Sequence, residues 1–165
     1  MKKTLYDINN INLLKNILLN DKKIFKLFQK GNTIGVFQFE SYGLRQYLIK
    51  LKPKKINDLI ALNALYRPGP IKNINKYINR KYNKNKIVYD IPIMKKYLKE
   101  TYGIIIYQEQ IMILFNKIAS FSKKDTDLLR QSIGKKNNIL LKKIKKKFIK
   151  GGIKNNYKKY ILYKI

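Results

Sequence analysis

The chain contains no cysteine, no histidine and no tryptophan. Without cysteine there are no disulfides and no thiolate metal sites. Without histidine, and with only 9 Asp and Glu in 165 residues, an all-protein zinc centre or a Ser–His–Asp triad has almost nothing to be built from. Long apolar runs are missing too; a typical one is only Gly103 to Tyr107 (GIIIY). No window approaches a membrane span and no signal peptide is visible, so the expected compartment is a reducing cytoplasm. Arginine occurs 4 times and alanine 3 times.

Cation and isoleucine fill the space. Lys and Arg number 38, giving a formal net charge of +29. Such a field attracts polyanions, nucleic acid above all. Lys, Ile, Asn and Tyr supply 92 of the 165 residues, and their codons are built almost wholly from A and T. An AT-rich genome gives this composition to any protein, so charge alone leaves both causes open. The 13 tyrosines are open to the same reading, although aromatic rings can stack on bases. The few Arg, Pro and Gly that persist are the informative positions. With 45% hydrophobic residues the chain can build a core, and its length suits one domain or part of a larger one.

Most segments carry helical spacing and punctuation, so the expected fold is mainly α with one or two short β segments. Asp21 to Lys30 has Ile24, Phe25, Leu27 and Phe28 on one face, with Gly31 past its end. Thr33 to Phe39 (TIGVFQF) reads as a buried strand, and Ile104 to Ile106 as extended. Ser41 suits the cap of a helix with Leu44, Leu48 and Leu51, stopped by Pro53. Asn57 suits the cap of the next, stopped by Pro68 and Pro70. Lys81 to Asp90 reads as an exposed loop, and Pro92 as the first position of a helix. A helix covers Glu109 to Ser120. Ser122 and Asp125 have capping-box spacing for one that ends at Gly134. A further amphipathic helix is expected to stop at Gly151-Gly152, and another to begin at Asn155 and run into Ile165, as though the chain were cut there.

Few residues can carry chemistry. Two-metal nucleotidyl transfer needs convergent carboxylates. Asp125 and Asp127 form the single D-x-D, but residues two apart on a helix diverge. Capping the free N–H groups of the first turn is the expected role of both. Glu109 and Glu40 are expected to be structural. Among the cations, Arg130 stands one turn before a helix end, with Lys135 and Lys136 just past Gly134. A guanidinium grips phosphate bidentately where an ammonium does not. The three are candidates for a triphosphate or a DNA backbone, against plain decoration of a helix C-terminus. Arg67, in Arg67-Pro68-Gly69-Pro70, is a similar candidate, with Arg45 and Arg80 behind it. The run Lys142 to Lys147 reads as a solvated face.

Four segments in order then resemble one family. They are Gly35 to Ser41 (GVFQFES) with Gly43; Asp58 to Leu62 (DLIAL) through Arg67-Pro68-Gly69-Pro70; Thr101 to Ile104 (TYGI) through Tyr107 to Met112 (YQEQIM); and Asp127 to Arg130 (DLLR) through Gly134-Lys135-Lys136. Over residues 21–152 these resemble the catalytic α subunit of bacterial DNA polymerase III, the C-family replicative polymerases. The resemblance implies that residues 1–165 are part of a helical fingers region, with no palm domain and none of the palm's metal-binding aspartates. It implies template-directed DNA synthesis from dNTPs with Mg²⁺, held by the palm of a complete subunit. The implied partners are template-primer DNA, the remaining polymerase domains and replisome subunits such as the sliding clamp. It places Arg130, Lys135 and Lys136 toward the incoming triphosphate, and it matches Arg67 to the arginine of the family's Arg-Pro-Gly-Pro turn, structural or DNA-facing; Arg67 and Arg45 are the candidates for DNA contact. Gln131 stands where the family usually has a second arginine. The chain alone is expected to be inactive, whether it is a fragment, half of a split gene or the relic of a decaying one. A non-catalytic basic nucleic-acid-binding module is the alternative.

Overall fold

The computed structural model describes residues 19–135 and 137–165. They form two compact units, divided between Asn63 and Ala64. No strand occurs among the described residues; the regular structure is helical.

In the first unit, α1 (Lys22–Gln29) packs on α2 (Tyr42–Leu51). Asp21 caps α1, its carboxylate accepting from the Lys23 N–H at 2.7 Å. The apolar face of α1 buries Phe25 and Phe28, and that of α2 buries Leu44, Leu48 and Leu51. The Phe28 ring meets Phe39 edge to face at 5.3 Å. Helix α2 stops where expected, with Lys52 in the left-handed region just before Pro53. Ser41 stands at its N-cap position but makes no capping bond.

The strand expected over Thr33 to Phe39 is instead two consecutive turns. Val36 N–H donates to Thr33 O and Phe39 N–H to Val36 O, and the buried Thr33 hydroxyl closes the loop on Phe39 O at 2.6 Å. Its composition is strand-like, but Gly35 (φ 81°) and Gln38 (φ 65°) take left-handed conformations that no extended segment tolerates. Ile34 and Phe37 consequently face solvent. Ile104 to Ile106 has no regular structure and joins no sheet. Helix α3 (Ile56–Leu65) starts before Asn57. Its start is held by the buried Asp58, which accepts from Lys54 N–H at 2.9 Å.

The second unit begins in the last turn of α3. The Arg67-Pro68-Gly69-Pro70 exit turns sharply, with Gly69 at φ 97°, into a 3-10 turn (Pro70–Asn73) and then α4 (Ile74–Tyr82). A second 3-10 turn (Lys84–Lys86) lies in the basic loop. Helix α5 (Pro92–Leu98) opens on its proline and is followed by α6 (Gln108–Ala119), α7 (Lys123–Gly134), α8 (Asn138–Lys154) and α9 (Lys159–Lys164). Helix α6 is central: α5, α7 and α8 all pack on it, and α9 packs on α8. The shared core takes Met94 and Leu98 from α5, Leu114 and Ile118 from α6, Leu129 from α7, Phe148 from α8 and Leu162 from α9. Phe115, Phe121 and Phe148 form an aromatic cluster with centroid separations of 4.2 to 6.4 Å.

Gly151-Gly152 does not end α8, which runs through both to Lys154. The glycines serve close packing instead. A Cβ on Gly151 would lie 2.4 Å from the Ala119 carbonyl oxygen, and one on Gly152 2.6 Å from Leu162. Helix α8 therefore crosses the end of α6 backbone to backbone. Asn155 ties that crossing, donating to Ile118 O and to Ser120 Oγ, both at 2.9 Å. Helix α9 begins later than Asn155 predicts, at Lys159.

Candidate functional site

Helix α7 carries the strongest cationic candidate. Its start is the capping box that the sequence announces. Ser122 Oγ accepts from Asp125 N–H at 3.2 Å, and Asp125 accepts from Ser122 N–H at 3.1 Å. The Lys147 ammonium of α8 bonds Asp125 at 2.5 Å. These bonds, that from Lys147 first and those from Ser122 next, hold the Asp125 carboxyl below its ordinary range. Further along, Leu129 and Ser132 enter the core, and the Ser132 hydroxyl donates to Leu129 O at 2.7 Å.

Burying Leu129 and Ser132 decides what faces water. At about 100° per residue, Arg130, Gln131, Gly134 and Asp127 fall on the opposite side, and Arg130 and Gln131 are exposed. Arg130 Nη2 donates to Asp127 Oδ1 at 2.9 Å, with both side chains open to solvent. Asp127 thus orients the guanidinium rather than capping the helix. One terminal nitrogen is engaged, and the planar fork has four further N–H donors. Lys135 stands exposed at the C-cap, its N–H on Gln131 O at 2.9 Å. Lys136 lies outside the described residues. The negative end of the helix dipole favours these cations and opposes an anion. An anion held here must therefore be gripped by side chains rather than by the helix itself.

The other arginines divide. Arg67 is exposed at the exit from α3. Half-buried Arg45 donates from Nε to Gly31 O at 2.6 Å, pinning the end of α1 onto α2. Half-buried Arg80 donates from Nη1 to Tyr102 O and Gly103 O at 3.1 and 3.2 Å, pinning that turn against α4.

The carboxylates do not gather. Among the described residues no three Asp or Glu side chains are grouped to hold a metal. Asp125 and Asp127 take separate lysine and arginine partners. Glu40 accepts from Gly35 N–H at 3.2 Å, a loop closure. Glu109 is an exposed first-turn charge on α6. The buried polar group of the Tyr107 to Gln110 segment is its neighbour. Gln110 is buried, accepts from Ile106 and Tyr107 N–H at 2.8 and 3.0 Å, and donates to Thr101 Oγ1 at 2.9 Å. Two glutamines flanking Glu109 were the available signal. Burial, and then the nearby Glu100 charge, push the Tyr107 hydroxyl above its usual pKa, so it stays neutral.

Comparison with known proteins gives this arrangement a context. The family model for the bacterial DNA polymerase III alpha subunit finger domain matches residues 1–156. A DNA polymerase III subunit alpha of Staphylococcus epidermidis is 43% identical over 153 residues, covering 92% of this chain and 14% of that protein. One of Aquifex aeolicus is 45% identical over 150 residues, covering 90% of this chain and 13% of that protein. One of Staphylococcus aureus is 44% identical over 148 residues, 90% of this chain and 14% of that protein. The chain thus spans about a seventh of the length of these relatives.

Proposed function

Since the chain belongs to the bacterial DNA polymerase III alpha subunit finger domain family, we propose that it works as one segment of a DNA-directed DNA polymerase. In this reading the end of α7 holds the triphosphate of an incoming dNTP, and Arg67 borders the template-primer. Arg45 commits its Nε to Gly31 O, so Arg67 is the stronger DNA-facing candidate.

The observation that supports the reading is the placement of Arg130. It is exposed, oriented by Asp127 at 2.9 Å, and followed by Lys135. An exposed ion pair of this kind is worth about 0–1 kcal/mol, so nothing in the fold demands a guanidinium there. A triphosphate does: the free edge of the fork matches two phosphate oxygens. Asp127 keeps one nitrogen and aims the rest. Gln131 shares the solvent face, where an arginine would add a second fork; here the grip rests on Arg130 and the following lysines.

The described carboxylates are dispersed, and Asp125 and Asp127 are engaged by Lys147 and Arg130, so they do not fit a Mg²⁺ pair. No metal step is assigned to these residues, and the chemistry belongs to other parts of the polymerase.

The test is Arg130→Ala in a complete polymerase subunit. Loss of a charge-assisted contact, about 1.5–3 kcal/mol, lowers kcat/KM for the nucleotide roughly ten- to hundredfold. Arg130→Lys recovers part of it. An unchanged kcat/KM beside a lowered melting temperature would remove Arg130 from the site and leave a purely structural charge.

A further inference from the structure

The lysines of α8 converge in a way that their sequence does not reveal. Lys143, Lys146, Lys147, Lys150 and Lys154 line one hollow of about 480 Å³, together with Ala119 and Gly151. At about 100° per residue these five occupy an arc of roughly 100°. Ile144, Phe148 and Ile149 take the core side of the same helix. All five lysines are exposed. From Lys143 to Lys154 the stripe runs about 16 Å at 1.5 Å per residue.

The hollow is built rather than accidental. Gly151 lets the Ala119 carbonyl form its floor, and Asn155 locks the crossing of α8 over the end of α6. Lys147 is fixed on one wall by Asp125, with its ammonium 5.7 Å from the centre of the Phe121 ring. Among the described residues, Asp125 is the one carboxylate paired with any of the five. The rest repel one another at i,i+3 and i,i+4 spacing, which weakens α8. A line of phosphates relieves that repulsion, and a nucleic-acid strand offers one about every 3.4 Å of axis.

We infer that this lysine-walled hollow on α8 is a seat for the phosphate backbone of DNA, formed by residues other than those assigned to the triphosphate. DNA is named as the ligand on the strength of the polymerase reading above. The site itself rests on the lysine geometry.

The test is a salt titration of duplex DNA binding by the 165-residue chain. Each phosphate contact adds about 0.9 to the slope of log K against log salt. Replacing Lys143, Lys150 and Lys154 with glutamine leaves the Asp125 pair intact and is expected to lower the slope by about 2–3. The same three changed to arginine retain it. Lys26, Lys72 and Lys95, exposed and scattered, serve as a charge-matched control. Their replacement by glutamine is expected to lower the slope by less than about 1. Equal losses in the two glutamine triples, or no loss in the first, would overturn the inference. If the first triple melts early, Lys143→Gln and Lys150→Gln singly carry the test, at about 0.9 each. Nucleotide kinetics play no part in this readout, so its failure leaves the Arg130 assignment standing, and the reverse.

Discussion

Gly151→Ala sets two effects of opposite sign against each other. Helix propensity favours alanine by about 1 kcal/mol in a helix interior, and Gly151 lies inside α8. The crossing disfavours it: the new methyl would meet Ala119 O at 2.4 Å, Ala119 Cβ at 3.0 Å and Ala119 C at 3.1 Å. Two of those atoms are backbone and cannot rotate away. Either α8 lifts from α6 or α6 unwinds at its end, and the Asn155 bonds to Ile118 and Ser120 lengthen with it. Overpacking of a well-filled contact costs about 1–3 kcal/mol, and a clash with backbone belongs at the upper end. The net expectation is a loss of about 1–2 kcal/mol. That corresponds to a fall in Tm of roughly 2–8 °C for a chain of this size. Gly134→Ala is the control, because a Cβ there meets nothing within 4 Å; it should leave Tm unchanged or raise it. Differential scanning calorimetry on both variants settles the sign. A Gly151→Ala protein that melts at or above the parent temperature would refute the close crossing and restore the glycines as mere punctuation.

Gln110→Leu keeps roughly the same volume but strands the Ile106 and Tyr107 N–H groups and removes the donor to the Thr101 hydroxyl, which keeps its bond to Leu98 O. Urea unfolding should show a loss of about 1–3 kcal/mol, and a neutral result would mean that water replaces the amide. Asp125→Asn tests the cap through pH. Because the folded pKa of Asp125 is lowered, its contribution is present above the unfolded carboxylate value and is lost as pH falls through the folded one. Tm of the variant should therefore lie below the parent at neutral pH and converge with it in acid; a gap that persists undiminished at low pH would contradict the ionic origin.

The features legible in the sequence were those decided within a few residues. Pro53 stops α2, Pro92 opens α5 and Ser122 with Asp125 opens α7, because each acts on its own turn. The misread features depend on partners far along the chain. Gly151-Gly152 resembles a helix stop until Ala119 and Leu162 are brought against it. Thr33 to Phe39 has the apolar content of a strand, but no strand pairs with it among the described residues and two left-handed residues fold it into turns. The lysine hollow was hidden by abundance. Among 34 lysines, only the packing of α8 on α6 determines which five converge.

Arginine was informative for the opposite reason, and the structure sharpens the argument. Only 4 of the 38 cationic residues are arginine, so each guanidinium asks for a reason that an ammonium does not meet. At Arg45 and Arg80 the fold itself accounts for it, since each reaches main-chain carbonyls of a distant turn with directed N–H donors. A compact ammonium on a flexible stem does not reproduce that geometry. Arg67 and Arg130 are exposed, and the Asp127 partner of Arg130 is a surface pair of small worth. Stability gives little reason for a guanidinium at either place, whereas a phosphate ligand gives a specific one. The two arginines that the core does not need are therefore the two proposed to meet nucleotide and DNA.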